Sequence, residues 1–302
     1  MPVHVVGNVC VDTTFRVDRF PQPGETLNAK GYLEGVGGKG ANQAVAAVRT
    51  GADVRFFAPL GTDEAAAFIR AHLKDDLDLG RLSAKPMPSD RSMIFVKKGG
   101  ENLIVSAVDC AADFDPLRES SFATMIVQGD ILVMQGNLRP EITDACLRFA
   151  KTVGATTILN PSPLSGSVPD LSPVDIVIVN QGEALEITGD RDPERAARDL
   201  LHRGARAAII TLGADGCLLL LEDGTVDRLP AGEARVVDTS GAGDVFCGCL
   251  AGCLAKGWLL AQSARVAVAA AGLSVGRPGT LSSCPSRAEL LILMNAMEAQ
   301  SL

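Results

Sequence analysis

The stretch Val236-Val237-Asp238-Thr239-Ser240-Gly241-Ala242-Gly243-Asp244, running into Val245-Phe246-Cys247-Gly248-Cys249-Leu250, decides how this chain is read. Two glycines fall within three residues, and the apolar, small-residue segment behind them reads as a buried helix. Glycine lets the backbone bend tightly and lets a ligand approach the main chain with no Cβ in the way. The N–H groups of Gly241, Ala242 and Gly243 then lie at a helix N-terminus, where unpaired donors and the helix dipole favour an anion. Asp244 is the odd member. A carboxylate there repels a phosphate, unless it takes the proton from the group that attacks that phosphate. The bland alternative is an ordinary glycine-rich turn with Asp244 as a helix-start residue.

Working outward, the rest of the chain alternates short apolar runs with amphipathic ones. Strands are expected at Pro2 to Val9, Val54 to Pro59, Asp130 to Gln135, Thr156 to Leu159, Val174 to Val179, Ala207 to Leu212 and Cys217 to Leu221. Helices are expected at about Thr62 to Leu73, Pro140 to Lys151, Pro193 to Arg203, Gly243 to Lys256, Leu260 to Val275 and Ser286 to Ala299, the last opening on the capping box Ser286-Arg287-Ala288-Glu289. Buried strands alternating with such helices predict an α/β fold, a Rossmann-like, mostly parallel sheet covered on both faces. Two polar pieces break the pattern. Residues from about 13 to 36 and from about 90 to 107, the second a hairpin around Gly99-Gly100, read as one small β-layer projecting from the body as a lid. No linker splits the 302 residues, which are read as a single domain.

Composition bounds the partners. Hydrophobic residues are 47% and charged residues 21%, which gives a well-filled core and excludes a disordered chain. A net charge of −8 with no basic stripe argues against nucleic acid. No basic leader precedes the first strand, and the richest apolar stretch, Ala261 to Val275, is broken by Gln262, Ser263 and Arg265, so no membrane partner and a cytoplasmic location are expected. The eight cysteines contain no C-x-x-C pair and read as buried free thiols.

Further clusters sit where strands end. Asp12 follows the first strand; Gly35-Val36-Gly37-Gly38-Lys39-Gly40-Ala41-Asn42-Gln43 leads into a helix expected from Ala44 to Thr50. Asn42 can donate and accept, which suits hydroxyl groups. Asn160-Pro161-Ser162-Pro163, Asn180-Gln181-Gly182-Glu183 and Thr211-Leu212-Gly213-Ala214-Asp215-Gly216 follow later strands. Successive strand ends line one rim of a parallel sheet, so these clusters and the 238–244 turn should share a cleft. Two common phosphate signatures are absent: Lys39 is followed by glycine where a P-loop needs a hydroxyl, and Gly7-Asn8-Val9-Cys10 is no dinucleotide fingerprint.

Gly37 to Ala47, Asn160 to Pro163, Thr211 to Gly213 and Asp238 to Asp244 together, in this order and spanning nearly the whole chain, resemble the ribokinase-like (PfkB) carbohydrate kinase family, and within it the ribokinase branch. The resemblance implies ATP-dependent phosphorylation of a sugar hydroxyl, with Asp244 as base and Gly241, Ala242 and Gly243 as anion hole. It places Asp12, Gly38, Lys39, Asn42 and Asn137 on the sugar, and Asn180, Glu183, Thr211, Gly213, Gly216 and Gly243 along ATP, with Glu183 organising Mg²⁺ indirectly. It implies a monovalent cation, K⁺, at Asp238, Ser240, Ser274, Arg277, Gly279 and Ser283, and a homodimer joined through the lids. Two departures bear on the substrate: Cys10 stands where ribokinases carry asparagine, and Asn137 where they carry a carboxylate, which puts ribose itself in question. A nucleoside kinase and a catalytically silent sugar- or nucleotide-binding regulator on the same fold are the alternatives.

Overall fold

The computed structural model describes residues 1–98, 101–164, 166 and 168–299. Eight strands form the main sheet in the spatial order Val226–Leu229, Cys217–Leu221, Ala207–Thr211, Ile176–Asn180, Thr156–Asn160, Ile131–Gln135, Val3–Val6, Val54–Phe57. The strands from Ala207–Thr211 to Val54–Phe57 pair in parallel; the first two close one edge antiparallel. Strand residues alternate between two cores, as a sheet buried on both faces requires. Ile131, Val133, Ile176 and Ile178 pack with the helices Lys39–Arg49, Ala242–Ala255 and Leu260–Ser274. Leu132, Met134, Val177 and Val179 pack under Pro140–Thr152, Gln181–Thr188 and Pro193–His202. The Rossmann-like α/β expectation holds.

A separate four-stranded sheet runs Gly31–Gly37, Cys10–Val17, Asp90–Lys97, Asn102–Ala107, with its two central strands parallel. The Gly99-Gly100 turn expected between its last two strands lies outside the described residues. Cross-strand register sorts its side chains into two faces. Asp12, Thr14, Ile94 and Leu33 fall on the face that lines a cavity against the body. Tyr32, Phe15, Phe95 and Leu103 form a row on the opposite face, with Met93 and Val105 beside it. Tyr32 and Val105 there are 69% and 61% exposed.

Several boundaries differ from expectation. The helix expected from Ala44 begins at Lys39, which puts Asn42 and Gln43 on helical backbone. Gly40 is a poor helix former, but a Cβ there would stand 2.7 Å from the Asn8 backbone, so close packing overrides propensity. Cys10–Val17 is one continuous strand, so Asp12 belongs to the small sheet and not to the end of the first main strand. The helix Gln181–Thr188 and the edge strand Val226–Leu229 were not anticipated; each is short, eight and four residues. The Ser286–Glu289 capping box is present, with the Ser286 N–H donating to Glu289 at 2.9 Å and Ser286 Oγ accepting from the Glu289 N–H at 3.3 Å. All eight cysteines are free and buried.

Candidate active site

The parallel register lays the functional strand ends side by side: Gln135 pairs with Asn160, and Asn180 with Thr211. Above this rim two helices start. Gly38 caps the Lys39–Arg49 helix at φ 95°, and Gly241 caps the Ala242–Ala255 helix in the left-handed region at φ 77°, neither with a side-chain cap. Both are backbone conformations that favour glycine. In the first helix the Gly40 and Ala41 N–H groups donate to Asn8 Oδ1 and the Asn8 carbonyl at 3.3 and 3.1 Å, and in the second the Ala242 N–H donates to the Thr239 carbonyl at 3.4 Å, which leaves the Gly243 and Asp244 N–H groups to meet a ligand.

Asp244 sits in the first turn of the second helix and is 5% exposed. Asn42 Nδ2 donates to its Oδ2 at 3.0 Å, Gln43 Nε2 donates to its Oδ1 at 3.1 Å, and Lys39 Nζ stands 3.7 Å from Oδ1. Burial works to lower the Lys39 ammonium, but Asp244, Glu183 and Cys247 outweigh it and hold it above its ordinary value. A cavity of about 190 Å³ opens here, lined by Lys39, Asn180, Glu183, Thr211, Gly243 and Asp244. Asn180 and Glu183 form a capping box at 2.9 and 3.0 Å, which occupies one Glu183 oxygen; the other could hold a hydrated Mg²⁺. Carboxylate, amide and hydroxyl groups are a fitting set for such an ion. Gly213 and Gly216 flank the turn after Thr211, outside this cavity; a Cβ on Gly216 would meet the Leu229 carbonyl at 2.0 Å, so packing alone demands glycine there.

Asp12 faces a second cavity, of about 290 Å³, together with Thr14, Ile94, Ser240 and Thr280. Cys10 Sγ donates to Asp12 Oδ1 at 3.1 Å and Thr280 Oγ1 to Oδ2 at 3.4 Å. Burial pushes the Asp12 carboxyl above its ordinary value against the pull of these bonds, and the charge of Asp244 adds to the push. Burial likewise holds the Cys10 thiol protonated. Thr280 also ties the two cavities together, since a Cβ on Gly241 would come within 3.1 Å of its backbone. Asn137 lines neither cavity. Its Oδ1 is buried without a partner, and its neighbours Gly136 and Leu138 line a separate pocket beside the Pro140–Thr152 helix.

Of the residues expected at a monovalent cation, three converge. Asp238 Oδ1 accepts from the Ser240 N–H and Oδ2 from the Gly279 N–H, both at 2.9 Å. The side chains of the other three are engaged elsewhere: Ser274 with the Ala271 carbonyl, Ser283 with the Thr280 carbonyl, and Arg277 with Glu289. The lone pairs left on the Ser274 and Ser283 hydroxyls, and the backbone carbonyls of this loop, are oxygen donors of the kind that suit K⁺. Sequence reading passed over Gln43 and Gln135, both fully buried against the site. They stand on the helix Lys39–Arg49 and at the end of the strand Ile131–Gln135, far apart in the chain, so no local signal joined them.

A buried carboxylate beside free helix amides, a lysine, and a polar rim at parallel strand ends define a site for moving a phosphoryl group onto a hydroxyl. The profile of the "pfkB family carbohydrate kinase" matches residues 2–287, and the chain belongs to that family. It is 31% identical to a ribokinase of Haemophilus influenzae over 297 residues, 95% of this chain and 96% of that one. It is also 31% identical to a deoxyribokinase of Salmonella typhi over 297 residues, with the same coverage. The structure of Arabidopsis thaliana ribokinase complexed with ribose and ATP superposes with a TM-score of 0.86 at 26% identity, covering 97% of this chain and 98% of that one.

Proposed function

We propose that the chain transfers the terminal phosphoryl group of MgATP to a hydroxyl of a small sugar held between the two cavities, with Asp244 as the base. The single observation that carries this is Asp244 itself: a buried carboxylate fixed by two amides and a lysine at the mouth of an anion-favouring helix. A mere helix cap would not be buried under such a set. Asp12, with Cys10 and Thr280 as its partners, and Asn42, whose Oδ1 is buried and unpaired, offer acceptors and donors for the sugar's other hydroxyls. Gly38 shapes the turn beneath them. The amides of Gly241 to Gly243 and the Lys39 ammonium meet the charge on the transferring group. Asn180, Glu183 and Thr211 line the ATP side, and Asp238, Ser240 and Gly279 hold a K⁺ that steadies the anion-hole turn.

The sugar is a pentose or a close analogue. Cys10 presents a weak donor already spent on Asp12, so it contributes little to a hydroxyl that an asparagine would bond. Turnover of ATP against ribose, 2-deoxyribose, other pentoses, hexoses and nucleosides ranks the candidates. The base assignment is tested by Asp244→Asn, which keeps size and removes the basic oxygen. The expected kcat falls about 10²- to 10⁴-fold, with nucleotide Kd retained and Tm unchanged. A kcat within about tenfold of wild type, or a lowered Tm with kcat kept, rejects it.

A further inference from the structure

The two amides that reach Asp244 come from consecutive residues of one helix, yet they are constrained very differently. Asn42 Nδ2 donates to Oδ2, and its own Oδ1 is buried with no partner, so this amide is open to exchange. Gln43 is 0% exposed and fully engaged. Its Oε1 accepts from Gln135 Nε2 at 2.8 Å, while its Nε2 donates to Asp244 Oδ1 at 3.1 Å and lies 3.4 Å from Asn160 Oδ1. Asn160 is oriented in turn, because its Nδ2 donates to the Ile178 carbonyl at 2.9 Å.

This chain of amides has a direction. Asp244 Oδ1 and the fixed Asn160 Oδ1 offer only oxygen, so Gln43 must turn its N–H groups toward them and its own oxygen toward Gln135 Nε2, while the Oε1 of Gln135 is buried without a partner. A flipped Gln43 would set its oxygen against two others and its N–H against that of Gln135, all in a buried place where unmatched polar groups are costly. The Lys39 ammonium lies on the same Asp244 oxygen, Oδ1, as Gln43 does. One oxygen of the carboxylate is thus held twice over, and the other is shared only with the exchangeable Asn42.

We propose that Gln43, locked by Gln135 and Asn160, is a positioning residue that clamps Asp244 by Oδ1 and leaves Oδ2 as the proton acceptor. The inference rests on the reading of Asp244 as the base. When the sugar hydroxyl arrives, Asn42 turns from Oδ2 to the sugar. The hydroxyl oxygen then bonds to phosphorus, its proton passes to Oδ2, and the bond from phosphorus to the departing ADP oxygen breaks, with its electron pair left on ADP. The charged and titratable neighbours of the carboxylate are Lys39, Glu183, Asp12 and the Cys247 thiol. The hydrogen bond that Oδ2 accepts comes from Asn42.

The test uses the full chain with its best sugar and MgATP. Gln43→Met keeps length and removes the amide, and is measured in the wild-type and Asp244→Asn backgrounds. The expected result is a kcat lowered about tenfold or more by misplacement of the base, sugar KM and nucleotide Kd within about twofold, and no further loss in the Asp244→Asn background. Gln135→Met, which removes the donor to Gln43 Oε1 and leaves Gln43 held from one side only, gives the same signature with a smaller loss and serves if Gln43→Met folds poorly. An unchanged kcat in both variants, or the same fractional loss in both backgrounds, overturns the clamp while Asp244→Asn stays crippled. A fully active Asp244→Asn overturns the base itself and the clamp with it.

Discussion

The paired helices Lys39–Arg49 and Ala242–Ala255 and the four-stranded sheet both contribute to the cleft, but they are built on opposite terms. The helix pair is made of small residues pressed together: a Cβ on Gly248 would lie 2.3 Å from the Gln43 carbonyl oxygen and 2.6 Å from Ala46 Cβ. Nothing there can shift without moving Asn42, Gln43 and Asp244 together. Away from its junction with the body the sheet keeps open space, with nothing within 4 Å of a Cβ placed on Gly31 or Gly35, although one on Gly37 would meet Asp12 Oδ2 at 1.9 Å, and it leaves an aromatic and aliphatic row uncovered. Catalytic groups that must hold to a fraction of an ångström sit on the packed pair. The four-stranded sheet, which we propose covers the substrate and meets a second copy, carries looser packing and an apolar outer face.

Breaking the packed side should give the largest effect. Gly248→Ala forces the two helices apart, and the expected outcome is about 1–3 kcal/mol of lost stability with kcat down about 10²-fold from a base moved by roughly 1 Å. Gly31→Ala in the sheet, its control, leaves Tm and kcat at wild-type values. Thermal melts and steady-state kinetics on the pair decide whether the contrast is real; equal effects would erase it.

The sheet side is tested through its uncovered row. Small sheets with exposed apolar faces and open edges gain by pairing, and we propose that two copies meet there. Val105→Lys combined with Tyr32→Ser should turn a dimer into a monomer in analytical ultracentrifugation at micromolar concentration, with Tm shifted by only a few degrees and kcat by a few-fold. A wild-type chain that is already monomeric counts against the pairing.

The smallest effect sits at the junction of the two regions. Asp90 opens a strand of the small sheet and accepts from the Cys110 and Ala111 N–H groups at 2.9 and 3.2 Å, where the chain returns to the body. Burial pushes its carboxyl up from 3.8 to about 6. Above that pH the folded protein bears a buried charge. As pH falls from about 6 toward 4 the folded state takes up the proton first, so this group adds stability in that window, about 1 kcal/mol of it between pH 7 and pH 5. The Tm of wild type relative to Asp90→Asn should therefore rise between pH 7 and pH 5; a difference flat with pH removes Asp90 as its cause.

The same contrast explains what could be read from the sequence. Gly241 to Asp244 and Lys39 to Asn42 were legible because their chemistry is local: glycines, a carboxylate and an amide within one turn of backbone. Parallel strands such as Ile131–Gln135 were legible from continuous apolar runs. Cys10–Val17 was divided in the reading, Asp12 given to the end of the first strand and the residues from about 13 onward to the small β-layer, because a strand with partial cover on both faces loses the alternation that marks a half-buried one. Gln181–Thr188 hid behind Gly182 and its own brevity. Gln43 and Gln135 were invisible for a different reason. Their bond joins residues 92 apart, and the Gln43–Asp244 bond joins residues 201 apart, which no local pattern encodes. Asn137 was placed on the sugar by resemblance, and the strand end that carries it turns toward a separate pocket.

The bond from Asn42 to Asp244 joins residues 202 apart. On a ribosome adding about 5–20 residues per second, the first helix exists for roughly 10–40 seconds before its partner emerges. Through that interval the small-residue face of Lys39–Arg49 has nothing to pack against, and the cleft has neither its anion-binding turn nor its base. A nascent chain that already carries Asp12 and Asn42 thus still lacks the turn and the carboxylate that we assign to phosphoryl transfer. Synthesis order alone keeps the unfinished kinase silent until its second helix docks.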